Sequence, residues 1–189
     1  MANDDIHIGF DLDGVLVDHT LWKQILARKF GYTLTPAQTA SDAMRTIVPV
    51  EHRREIQRLL YGDDVYALSP SLMPGASELL ASLGERGVRC SLISRRRDAD
   101  LALLLMEKHH LRPEFFTDAN TVFVATPQDK ADACARFGVT HYIDDEVGVL
   151  EALASVPHRY LMDPHGAALP SAHYHAVRSL EEFGRCIIR

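Results

Sequence analysis

Cysteine is scarce. Cys90, Cys134 and Cys186 are the three in the chain, too scattered for a disulfide framework or a zinc site, and each falls in an apolar pattern that suits a small core residue. Long apolar runs are also missing. No stretch approaches the length needed to cross a bilayer, and Met1 to Asp5 is polar with two acids, so neither a membrane partner nor a secretory leader is expected, and the cytoplasm is the expected location. Basic residues are in deficit. Lys and Arg total 20 against 26 Asp and Glu, a net charge of −6, which argues against a nucleic-acid polymer as partner because that role wants a basic face. A small anionic ligand stays open, since a local field can oppose the net charge. Internal repeats and low-complexity segments are absent.

What is present is ample material for a core. Of 189 residues, 47% are apolar, which suits one ordinary domain, or one with a small insertion. Five short runs rich in apolar or β-branched residues predict strands: residues 6–11, 88–94, 121–125, 141–144 and 159–162. Helical patterns lie between them, with Gly87 and Gly138 as stops. Strands alternating with helices predict an α/β fold, a parallel sheet with helices on both faces. Residues 18–73 break the alternation with three helical stretches interrupted by Pro36, Pro49 and Gly62. They predict a small helical cap inserted after the first strand, leaving 1–17 and 74–189 as the α/β core.

The first strand runs into FDLDGVLVD, where two acids follow an apolar run. Side chains two apart on a strand point the same way, so Asp11 and Asp13 can converge where the chain leaves the sheet. Gly14 then permits a sharp turn and a close approach of backbone to a ligand. In open α/β sheets ligands bind outside the carboxyl ends of the strands. Two neighbouring carboxylates repel unless a cation lies with them, and Mg²⁺ takes such oxygen ligands alongside a substrate phosphate. Asp144 and Asp145, in YIDDE at another strand end, can complete the cage. Ser94 ends a further strand, where its hydroxyl can donate to a phosphate oxygen, and Lys130 opens a helix with a point charge for the same anion. Each also has an ordinary structural reading, Ser94 as a turn residue and Lys130 as a solvated lysine.

The ordered set FDLDGVLVD, LISRR, Lys130 and YIDDE resembles the four motifs of the haloacid dehalogenase-like superfamily of hydrolases, over about residues 6–162. The resemblance implies a Rossmann-like core, with Asp11 as nucleophile forming an aspartyl-phosphate and Asp13 as general acid and base. Ser94 and Lys130 would bind the phosphoryl group. Asp11, the carbonyl of Asp13, and Asp144 or Asp145 would hold Mg²⁺. An acid two residues after the nucleophile favours phosphate hydrolysis, though mutases carry it too. The implied activity is therefore a Mg²⁺-dependent phosphatase acting on a small phosphorylated metabolite. A phosphotransferase or mutase, and a non-catalytic binding protein of the same fold, are the alternatives. KADACARFGVTHYIDDEVGVLEAL is also similar to part of the deoxyribonucleotidase-like branch, which makes a nucleotide one substrate to consider.

Three arginines follow Ser94. One is expected to face the cleft as a second anion site, and Arg95 is the expected one, with the others solvated. In the cap, Lys23 and Trp22 are candidates to touch the leaving group, although LWKQILARKFGY has the spacing of an amphipathic helix that would pack Trp22 inside the cap. Ten histidines are present, but His109–His110 and the HYH at 173–175 lack ligand spacing, so no transition-metal site is expected.

Overall fold

The computed structural model describes residues 6–187. In chain order the strands are β1 (His7–Phe10), β2 (Val17–Asp18), β3 (Ser71–Leu72), β4 (Arg89–Ser94), β5 (Thr121–Phe123), β6 (His141–Asp144), β7 (His158–Met162) and β8 (His175–Val177). The helices are α1 (Thr20–Lys29), α2 (Ser41–Ile47), α3 (Val50–Gly62), α4 (Asp64–Ala67), α5 (Ala76–Glu85), α6 (Ala99–Lys108), α7 (Pro127–Phe137), α8 (Val147–Ala152) and α9 (Leu180–Ile187).

Six strands form one parallel sheet in the order β5-β4-β1-β6-β7-β8. Both faces are covered, which is why its strands read as nearly unbroken apolar runs. On one face Leu79, Leu80 and Leu83 of α5, Leu105 and Met106 of α6, and Phe183 of α9 pack on Ile8, Phe10 and Leu92. On the other, Cys134 of α7 and Val149 and Leu150 of α8 pack on Ile93, Tyr142 and Leu161. This is the Rossmann-like α/β architecture expected. Burial pushes the thiols of Cys90 and Cys134 up to about 12, in keeping with a packing role.

Successive strands step outward from β1 through β4 to β5, then restart on its other side with β6. The crevice at that reversal lies beyond the carboxyl ends of the adjacent strands β4, β1 and β6.

The chain between β2 and β3 is helical, and those two strands pair antiparallel. Leu26, Ala27, Leu34, Met44, Val48, Ile56 and Leu60 give it an apolar cluster of its own. Residues 36–48, which read as one helical stretch, are a 3₁₀ turn at Pro36–Thr39 followed by α2, with Val48 already extended. The two-residue strands β2 and β3 and the four-residue α4 are too short to leave a periodic signal in the sequence.

Candidate active site

Asp11 follows the last residue of β1, while Ser94 and Asp144 end β4 and β6, so sheet hydrogen bonding brings three distant polar side chains to one edge. The backbone N–H of Asp11 donates to the carbonyl of Ile143 at 3.1 Å. Lys130 comes from α7, whose start is fixed by a capping box. Thr126 accepts from the backbone N–H of Asp129 at 3.1 Å, Asp129 accepts from that of Thr126 at 2.9 Å, and Pro127 takes the first turn. One turn in, Lys130 is buried, with its Nζ 2.8 Å from Oδ1 of Asp11 and 2.8 Å from Oδ2 of Asp144.

The ring of Tyr142 lies 5.3 Å beneath that ammonium, and its hydroxyl donates to the carbonyl of Ile93 at 2.6 Å. To reach across β1 it needs Gly9, since a β-carbon there would sit 2.4 Å from the tyrosine ring.

Asp11, Asp144 and Asp145 each offer an oxygen within 4.8 Å of the others. Gly14 gives Asp145 its place: its φ is +86°, and a β-carbon would lie 2.6 Å from both Cγ and Oδ2 of Asp145. Ser41, at the start of α2, donates to Oδ2 of Asp145 at 3.1 Å. Crowding leaves this group of acids short of positive charge. Burial, and then neighbouring carboxylates, push Asp11 well above the usual carboxylate range and Asp145 up to about 7. Asp144 is raised as well, chiefly by burial. Burial opposes the charge on Lys130, yet Asp11 and Asp144 together hold its pKa well above the ordinary value.

Asp13 sits in the turn after β1, and its Oδ1 takes two partners. Nε2 of His19 is 2.6 Å away and a guanidinium nitrogen of Arg96 is 3.4 Å away, both from buried side chains. Among the described residues, Oδ2 of Asp13 accepts no hydrogen bond. Burial acts against the charge, but His19, Arg96 and Lys23 overcome it and hold Asp13 below the usual range. Ser94 accepts from the backbone N–H of Arg96 at 3.2 Å, which leaves its own hydroxyl proton to donate elsewhere.

The expected residues Asp11, Asp13, Gly14, Ser94, Lys130, Asp144 and Asp145 thus meet at one edge. Arg95, expected to be the inward arginine, is instead 30% exposed and faces Glu146 at 3.5 Å. The inward one is Arg96, with a fully buried side chain. Nζ of Lys23 donates to the carbonyl of Thr39 at 3.2 Å and lends its charge to Asp13 and Asp145. Trp22 packs inside the helical segment, its ring edge-on to Tyr66 at 5.6 Å. His19, Ser41 and Arg96 were not foreseen. His19 follows the first motif directly, but nothing in the sequence says that its ring folds back, and the three arginines are indistinguishable without the turn that aims them.

The sequence pattern of the haloacid dehalogenase-like hydrolases matches residues 7–156. The chain belongs to that family. The haloacid dehalogenase-like fold is equally plain among solved structures. A hydrolase of this family from Deinococcus radiodurans, with bound phosphate and sodium, is 17% identical with a TM-score of 0.64, over 95% of this chain and 93% of that one. A protein assigned as a β-phosphoglucomutase from Thermotoga maritima is 19% identical with a TM-score of 0.63, over 96% and 98%. One assigned as a phosphoglycolate phosphatase from Lactobacillus plantarum is 17% identical with a TM-score of 0.61, over 97% and 98%. No curated protein matches the chain.

The donor set fits a hard divalent cation. Three carboxylates converge without a hydrogen-bond donor for every oxygen, and their raised proton affinity is what anionic ligands show when a positive charge is wanted. No helix among the described residues is long and apolar enough to cross a membrane.

Proposed function

We propose that this hydrolase is a Mg²⁺-dependent phosphatase of small phosphorylated metabolites, working through an aspartyl-phosphate on Asp11, with residues 18–73 as a cap over the cleft. The observation that carries the reading is the double contact of Lys130 with Asp11 and Asp144. It supports the reading because one buried ammonium holds the carboxylate assigned as nucleophile and brings positive charge to the edge where phosphoryl oxygens would gather. Asp11, Asp144 and Asp145, with the backbone carbonyl of Asp13, would hold the metal, which supplies charge neutralisation to the phosphoryl group when bound.

The steps of the chain's own residues follow from their positions. Lys130 and the free hydroxyl proton of Ser94 bind phosphoryl oxygens. An oxygen of Asp11 attacks phosphorus, and the bond to the ester oxygen breaks. Asp13 gives its proton to that departing oxygen, then takes one from the water that attacks phosphorus, which frees phosphate and restores Asp11. Arrival of a phosphate dianion beside Asp13 adds like charge and raises its pKa, so proton uptake accompanies substrate binding. Lys23 of the cap, whose charge reaches Asp13 and Asp145, would meet the leaving group, while Trp22 shapes the cap from within.

The reading is tested by hydrolysis of an aryl phosphate with and without chelator, with Asp11→Asn alongside. Turnover that needs metal and disappears with Asp11→Asn is expected. No metal-dependent turnover over a panel of nucleotides, sugar phosphates and phosphorylated acids would overturn it. Phosphoryl transfer to added glycerol or a sugar phosphate, in preference to water, would identify a transferase.

A further inference from the structure

We infer that Arg96 is a positioning residue that makes the aim of Asp13 depend on the seating of the helical segment. The inference rests on the acid and base role of Asp13 just proposed and goes beyond it.

Arg96 has four contacts and no exposure to speak of. One nitrogen of its guanidinium lies 3.4 Å from Oδ1 of Asp13, and the other donates to the carbonyl of Ala67, the last residue of α4, at 3.1 Å. Its Cζ lies 5.4 Å from the ring centroid of Tyr61 on α3, and its backbone N–H donates to the hydroxyl oxygen of Ser94. The planar fork sets the angle between the two guanidinium contacts, which a lysine cannot do. The second holder of Asp13, His19, is braced by the same Tyr61, whose ring meets the imidazole edge-on at 5.4 Å. Both restraints on Oδ1 are therefore anchored in the helical segment, while Asp13 itself belongs to the turn after β1.

Holding one carboxyl oxygen by two donors leaves the other without a partner among the described residues. That oxygen, Oδ2, is the one to carry the proton to the leaving group. When the ester bond breaks, the proton passes from Oδ2 to the departing alkoxide and Asp13 is left as a carboxylate. If Ala67 and Tyr61 move away, the guanidinium loses its seat and Asp13 its aim. Proton delivery is thereby tied to a seated helical segment.

The test compares kcat/KM for phenyl phosphate, whose leaving group needs a proton, with that for 2,4-dinitrophenyl phosphate, whose leaving group departs as the anion. Because kcat/KM extends only through phosphoryl transfer to Asp11, the later role of Asp13 as base does not enter. Arg96→Met should lower the phenyl value by about 10- to 100-fold, part of what a general acid contributes, and the dinitrophenyl value by less than about threefold. Tyr61→Leu, which removes no group bonded to Asp13, should give the same split in smaller measure. Arg96→Lys keeps the charge but not the fork; it should fall between, and it stands in if Arg96→Met fails to fold. Equal losses on both esters, or none, would overturn the inference. Asp13→Asn separates the two levels: a split there without one in the Arg96 variants sinks the inference alone, and no split there sinks the acid role of Asp13.

Discussion

Lys130 and Asp11 are 119 residues apart in sequence and 2.8 Å apart in the fold. The ammonium is shared with Asp144, so it is the nearest compensation for two buried carboxylates. Lys130→Met, which keeps the volume and removes the charge, should cost on the order of 3–5 kcal/mol at pH 8 by leaving those acids uncompensated. The loss should shrink towards pH 5, because both carboxyls already have raised proton affinity and can neutralise themselves. Chemical denaturation of both proteins at the two pH values checks this, and an equal loss at each would contradict it.

Metal binding should compete with protons. Asp145, pushed up to about 7 by burial and its acidic neighbours, must shed its proton to become a ligand. Mg²⁺ affinity should therefore level off above pH 8 and fall by up to about tenfold per unit below pH 7. Calorimetric titration in two buffers of different ionisation enthalpy should show proton release near pH 7. Affinity unchanged between pH 6 and 8 would remove Asp145 from the ligand set.

At the opposite end of the sheet, His141 is stacked on His158 with ring centroids 4.3 Å apart. Nδ1 of His141 is 2.9 Å from the hydroxyl oxygen of Thr140, with the donor of that pair set by the imidazole tautomer. Burial, then repulsion from His158, lowers His141 to about 4. The unfolded chain takes up this proton as pH falls below about 6.5 and the folded one only near 4, so stability is lost on acidification through that window. Discounted for a half-exposed ring, the loss is on the order of 1 kcal/mol. His141→Gln should flatten the decline in Tm between pH 7 and 4.5, and a parallel decline would contradict this.

Much of this was legible in the sequence because period and position carry physical weight. The apolar runs gave the sheet, and acids at strand ends gave the edge where Asp11, Asp144 and Lys130 meet. Side-chain direction beyond a strand was not legible. Arg95, Arg96 and Arg97 differ only in where a turn aims them, and the one that packs under Tyr61 is Arg96, not Arg95. His19 reaches Asp13 only because the turn at residues 12–17 doubles back, with Gly14 donating to the carbonyl of Val17 at 2.9 Å. β8 was not legible because, of its residues His175, Ala176 and Val177, the first two are exposed and Val177 alone is buried, so no apolar run marks it.

The central claim is that phosphorus becomes bonded to Asp11 during turnover. Quenching the reaction of a hydrolysed phosphomonoester with borohydride converts an acyl phosphate to the alcohol, and peptide mapping then locates it. The account predicts that reduction at residue 11, dependent on substrate. Turnover that proceeds with residue 11 unmodified, or with the phosphoryl group on another side chain, would contradict it.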